Sequence, residues 1–175
     1  IKANIIVDDE GRGRISDFGL ARIMSGGQRT GLTTDTSHTG TLRYLAYELV
    51  NTEGHIIPTK EGDVYALGCL ALELIFLQVP YAEHTNPGEI YKLIGSNTPP
   101  AVEVPVDGAP SEQIQDLWTF LQRCWDIDPK SRPTVQDCQQ YVRDHKAELL
   151  TALGDSFQPR STLAAPPETA TSGSI

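Results

Sequence analysis

The chain has 175 residues and a formal net charge of −9, the length of one domain with one sizeable core. That acidity argues against nucleic acid or an anionic membrane surface as a main partner. The longest apolar run, Ala66 to Val79, is too short to span a bilayer and contains Glu73, so no membrane segment is expected. Cys69, Cys124 and Cys138 fall inside apolar helical patterns at no metal-ligand spacing, which reads as small buried hydrophobes in a reducing, cytoplasmic setting. His38, His55, His84 and His145 are scattered and suggest no metal cluster.

In chain order, residues 1–16 read as two short strands around the charged turn Asp8-Asp9-Glu10-Gly11-Arg12-Gly13. Asp and Gly suit a solvated hairpin tip for local geometric reasons, so the acidic cluster is read as a turn rather than a metal site. The second strand runs into Asp17-Phe18-Gly19. An Asp at a strand end, beside a glycine that tolerates unusual backbone angles, suits a carboxylate that must reach a metal ion, with Phe18 as a packing anchor. Residues 20–40 lack periodicity and read as a flexible loop, in which Thr33, Thr34, Thr36, Ser37 and Thr39 are candidate phosphorylation sites. A phosphate there would need a basic partner such as Arg22 or Arg43.

Lys60 to Leu77 is the strongest helix pattern, apolar nearly all round through Val64, Leu67, Leu70, Leu72, Leu74 and Ile75, which predicts burial. Asn86-Pro87-Gly88-Glu89 starts a second helix, Pro87 to Gly95, with an N-cap, Pro at N1 and a capping Glu. A proline-rich loop covers 96–110. Ser111 caps a helix carrying Ile114, Leu117, Trp118, Leu121 and Trp125 at helical spacing, a core stripe. Thr134 caps the last helix, with Val135, Cys138, Tyr141, Val142, Leu149 and Leu153 expected on one side. Residues 154–175 are dominated by Ser, Thr, Pro and Ala and read as a disordered tail.

Four motifs stand in order: Asn4 thirteen residues before Asp17-Phe18-Gly19, then Gly40-Thr41-Leu42-Arg43-Tyr44-Leu45-Ala46-Tyr47-Glu48, then Gly62-Asp63-Val64-Tyr65-Ala66-Leu67-Gly68, then Cys124 to Thr134. In this order and spacing the chain resembles the protein kinase family, closest to its tyrosine-kinase-like branch, over roughly residues 1 to 145. The resemblance implies a protein kinase-like α+β fold, of which residues 1–150 would be the mainly α-helical C-terminal lobe with a small β-hairpin. It implies ATP and Mg²⁺ as cofactors, held by Asn4 and Asp17, with Lys2 steadying the transferring phosphate and Thr41 shaping the site for a protein substrate. Phe18 and Gly19 would position Asp17. Asp63 would hold the catalytic loop from beneath, and Glu48 would pair with Arg132. The helix Pro87 to Gly95 matches the family's exposed, partner-binding helix.

Two departures from the family pattern stand out. Only Ala3 separates Lys2 from Asn4 where the family has two residues, and Tyr47 replaces the proline usual between Ala46 and Glu48. The pattern puts the catalytic Asp one residue before Ile1 and an N-terminal kinase lobe upstream, so this chain alone is expected to be inactive. The implied function is ATP-dependent phosphoryl transfer to Ser or Thr, which Thr41 favours over Tyr. The alternative is a truncated, non-catalytic pseudokinase serving as a protein-binding module.

Overall fold

A computed structural model describes residues 4–16, 42–50 and 58–156. Two strands, β1 (Ile5–Val7) and β2 (Gly13–Ile15), pair antiparallel with Ile5 opposite Ile15 and Val7 opposite Gly13. The turn between them is organised by Asp8. Its carboxylate accepts the backbone N–H groups of Glu10 and Arg12 and the Nε–H groups of Arg12 and Arg14, at 3.1, 2.8, 3.2 and 2.8 Å. These bonds hold the Asp8 carboxyl below the ordinary aspartate value, the Arg12 N–H contributing most. Gly11 takes the left-handed conformation that closes the turn (φ 77°). The acidic cluster is thus a locally satisfied hairpin tip.

The rest is helical: α1 (Tyr47–Val50), α2 (Lys60–Phe76), α3 (Pro87–Gly95), α4 (Glu112–Cys124) and α5 (Val135–Ser156), with a 3₁₀ turn at Pro129–Ser131 before α5. Side-chain caps fix the helix starts where the sequence places them. Thr59 accepts from the Gly62 N–H, Asn86 from Gly88 and Ser111 from Ile114. At α5 the cap is reciprocal: Thr134 Oγ1 accepts from the Asp137 N–H, and Asp137 Oδ2 accepts from the Thr134 N–H. Glu89, expected to close a similar box on α3, instead lies 2.8 Å from His84 Nδ1. The last helix runs through Gly154 to Ser156, three residues into the stretch expected to be a tail.

Helix α4 packs between α2 and α5. The main core joins Val64, Tyr65, Cys69 and Leu72 of α2 to Ile114, Leu117, Trp118 and Leu121 of α4, with Cys138 from α5. All three cysteines are buried and free, and burial raises each thiol above its ordinary value. A separate, smaller cluster joins Val50, Tyr81, Ile90 and Ile94, with Leu42, Leu45 and Leu93 against it.

Two sequence expectations about helix faces are corrected. Helix α2 is not buried all round, because Leu67 and Leu74 remain 40% and 48% exposed. Seven residues apart, they share a face opposite the contact with α4. On α5, Val135 and Val142 are 58% and 56% exposed while Cys138 is buried. The valines fall outside the arc that α4 covers.

Helix α2 and the end of α4 approach closely at Gly68. A Cβ there would lie 2.7 Å from Trp125 Nε1 and 2.8 Å from Cys124 Cβ. Gly68→Ala is therefore expected to lower the urea unfolding midpoint, by about 1–3 kcal/mol of overpacking partly offset by about 1 kcal/mol of helix propensity. An unchanged or higher midpoint would show that α4 shifts freely and that the close approach is not a constraint.

Candidate functional site

Residues 42–50 pass across the helical layer, with Tyr44 and Ala46 buried in its main core and Leu49 packed against it, and three polar anchors hold them there. The first is Arg43. Its guanidinium donates to three backbone carbonyls of the turn after α2: Pro80 O at 2.7 Å, Tyr81 O at 2.8 Å and His84 O at 2.6 Å. A guanidinium carries five N–H donors in a fixed fork, so one side chain can satisfy several carbonyls that a helix end or turn leaves open. Arg43 forms no ion pair with any described acid. Three of its five donors are thus engaged by carbonyls, and the loop residues expected to carry a phosphate lie outside the described residues.

The second anchor is Tyr44, whose hydroxyl donates to Glu73 Oε2 at 2.5 Å. Both side chains are buried. Burial first, and the bond to Glu73 second, push the Tyr44 hydroxyl well above its ordinary value, so it stays protonated and a donor. Glu73 is the charged residue in the otherwise apolar run of α2, and Tyr44 gives it a polar partner.

The third anchor joins Glu48 to Arg132. Arg132 donates from Nη1 to Glu48 Oε1 and from Nη2 to Oε2, both at 2.8 Å, a bidentate pair across 84 residues of chain. The Arg132 side chain is fully buried, while that of Glu48 is 23% exposed. The remaining donors reach Asp126 O (2.8 Å) and Glu61 O (3.0 Å), and the guanidinium lies 5.2 Å from the centroid of the Tyr65 ring.

These anchors meet. Tyr65 and Tyr81 hydroxyls are 3.0 Å apart, and Tyr81 donates onward to Thr98 O at 3.0 Å. Tyr81 adopts a left-handed conformation (φ 55°), which costs a non-glycine residue about 1–2 kcal/mol. Its N–H bond to Pro100 O (2.7 Å) and its carbonyl bond to Arg43 hold it there. Burial pushes the Tyr81 hydroxyl up to about 12 and that of Tyr65 higher still. None of these hydroxyls ionises near neutral pH, so the network positions the chain and does not relay protons.

At the other candidate locus, Asn4 is half-buried, and its carbonyl accepts the Ser16 N–H at 2.8 Å. This pairing brings Asn4 to the end of the hairpin from which Asp17 follows directly. The Asn4 side chain makes no hydrogen bond to another described residue. An Asn carboxamide and an Asp carboxylate offer oxygen donors, the ligand type that Mg²⁺ takes. Lys2, Asp17, Phe18, Gly19 and Thr41 lie outside the described residues. Asp63 sits in the first turn of α2 with its N–H bonded to Thr59 O. Although it is exposed, nearby protein atoms displace part of its water and raise its carboxyl above the ordinary value, with no donor to the carboxylate among the described residues.

The sequence motifs singled out Glu48 and Arg132, and the structure brings those two together. They did not single out the Arg43 clamp or the Tyr65–Tyr81 link. Backbone carbonyls are the acceptors there, and every residue carries one, so no residue pattern marks them.

Residues 1–142 match the family described as "Protein kinase domain". The chain is 31% identical over 140 residues to receptor-interacting serine/threonine-protein kinase 3 of Rattus norvegicus, covering 78% of this chain and 28% of that protein. It is 30% identical over 168 residues to mitogen-activated protein kinase kinase kinase A of Dictyostelium discoideum, covering 93% and 16%. With mitogen-activated protein kinase kinase kinase 3 of Arabidopsis thaliana it shares 27% over 161 residues, covering 91% and 24%. The chain thus spans between 16% and 28% of the length of these three relatives.

Removing one side of the Glu48–Arg132 pair leaves the other poorly compensated. Arg132→Met is expected to destabilise by about 3–5 kcal/mol, and Glu48→Gln by about 1–3 kcal/mol because two carbonyls still accept from Arg132. In a urea double-mutant cycle the two losses should fall short of additivity. Additive losses would show that the pair does not act as a unit.

Proposed function

The chain belongs to the protein kinase family, in its tyrosine-kinase-like branch, and we propose that the protein containing it transfers the γ-phosphoryl group of Mg·ATP to serine or threonine hydroxyls of protein substrates. In this reading residues 1–150 are the C-terminal lobe, and residues of an N-terminal lobe complete the nucleotide cleft. The observation that carries the reading is the triple anchoring of residues 42–50. Substrate recognition next to a phosphoryl-transfer centre needs a chain segment held at fixed height, and Thr41 immediately precedes this one.

Each residue then has a physical task. Asn4 and Asp17 would hold Mg²⁺ through oxygen atoms, and the Asn4–Ser16 bond, which places Asn4 at the hairpin end just before Asp17 in the chain, supports that fit. When bound, Mg·ATP supplies the phosphoryl group and the charge neutralisation that its transfer requires. Phe18 and Gly19 set the direction of the Asp17 carboxylate. Lys2 would place a mobile positive charge near the phosphate, and Thr41 would shape the substrate site. Asp63 has a desolvated carboxylate suited to backbone N–H donors from a preceding loop, a positioning role. Glu48 and Arg132 fix the platform and touch no reacting atom.

A second reading, a non-catalytic module that presents its helices to partners, draws on the short Lys2-Ala3-Asn4 spacing and on Tyr47 in place of proline. The two readings separate on one substitution. In the full-length protein, Asp17→Asn is expected to lower phosphotransfer to a protein substrate on the order of a hundredfold or more, with folding unchanged. Equal activity in both forms would remove the metal role from Asp17. An inactive wild type that still binds partner proteins would favour the module.

A further inference from the structure

The anchoring network leaves the outer side of the helical layer unused, and a groove between α4 and α5 lies there. Its volume is about 370 Å³, within the roughly 300–1,000 Å³ of ligand sites. A column of rings forms one side. Phe120 and Tyr141 stack with centroids 4.0 Å apart and 11° between planes, and His145 follows on Tyr141 at 4.4 Å and 24°. Asp116, Asp137 and Asp144 also line the groove, against the single guanidinium of Arg123.

The charge there is not internally neutralised. Asp137 accepts from Thr134 and Asp144 from Gln140 Nε2 (2.7 Å), both uncharged donors. Arg123 sits 5.9 Å from the centroid of the Phe120 ring, so the column already accommodates one guanidinium. The Tyr141 hydroxyl oxygen is buried and has no hydrogen-bond partner among the described residues. Such a group costs about 1–3 kcal/mol unless something pairs with it. Burial, with the Asp116 charge adding to it, raises this hydroxyl above its ordinary value, so its oxygen remains a neutral acceptor.

We propose that the α4–α5 groove docks an arginine-bearing basic segment of a partner protein. A guanidinium matches both the ring column and the acidic lining of the groove. Its flat face stacks on aromatic rings, and its N–H fork pairs with the Asp116 carboxylate. Lysine offers a point charge without the planar face. Acidic or phosphorylated segments meet three carboxylates and are repelled, and a second copy of this chain, at −9, is a poor complement. The inference stands apart from phosphoryl transfer.

The test uses the full 175-residue chain, isotope-labelled for NMR, and two acetylated and amidated peptides, Arg-Leu-Arg-Arg-Leu and Lys-Leu-Lys-Lys-Leu. Saturable shifts are expected at residues 116–123 and 137–145, at least about threefold tighter for the arginine peptide. Affinity should fall as NaCl rises from about 50 to about 300 mM. Asp116→Asn and Asp144→Asn, both at exposed positions, should each weaken binding about three- to fivefold. Asp107→Asn, in the exposed loop before α4, should leave binding unchanged. No saturable shift, shifts spread evenly over the acidic surface, or equal losses from Asp107→Asn and Asp116→Asn would each overturn the proposal.

Discussion

The buried guanidinium of Arg132 is the constraint on which the arrangement of the helices depends. A fully buried cation carries a desolvation cost of several kcal/mol, which only close and complete pairing offsets. Arg132 obtains it by drawing three remote pieces of chain to one point: the Glu48 carboxylate on α1, the Glu61 carbonyl in the first turn of α2, and the Asp126 carbonyl after α4. Displacing any of these leaves a donor unmet inside the protein. The ion pair therefore specifies geometry more than it adds stability, and the segment 42–50 takes its position from it.

The sequence made the helical lobe legible because its helices carry strong local signals. Pro87 and Asn86 mark one start, Ser111 and Thr134 two others, and the stripe from Ile114 to Trp125 marks the buried face of α4. Those signals are local, so they say little about which arc of an all-apolar helix finds a partner. Leu67 and Leu74 look as buried as Leu72 in the sequence, yet only Leu72 lies on the arc that α4 covers. Val135 and Val142 differ from Cys138 in the same way. Periodicity gives the face of an amphipathic helix, whereas the width of that face is set by neighbours distant in the chain.

The candidate site divides along a similar line. Glu48 and Arg132 are linked by side-chain chemistry, which a family motif records, and their pairing could be anticipated. Arg43 is linked by backbone acceptors and by the left-handed turn at Tyr81, neither of which leaves a compositional trace. Its basic charge even suggested a phosphate partner. Three carbonyls at 2.6–2.8 Å show why a cation need not imply an anion: carbonyl dipoles converging on a guanidinium supply comparable hydrogen bonding without a countercharge.

The segment 42–50 divides its apolar side between two clusters: Tyr44, Ala46 and Leu49 join the α2–α4 core, while Leu42, Leu45 and Val50 rest with α3. Val50, Ile90 and Ile94 bury one another, and Tyr91 donates its hydroxyl to Val50 O at 2.9 Å. Arg43 ties the segment to the turn that leads into α3, and Tyr81 belongs both to that turn and to the smaller cluster. A shift of α3 would therefore strain Arg43, the Tyr91 bond and the apolar contacts at once. A shift of the segment away from the main core would break the Tyr44 and Glu48 bonds and also uncover the apolar contacts of Tyr44, Ala46 and Leu49. The segment thus bridges the α3 cluster and the main core, with Tyr44–Glu73 and Glu48–Arg132 as its polar ties to the latter.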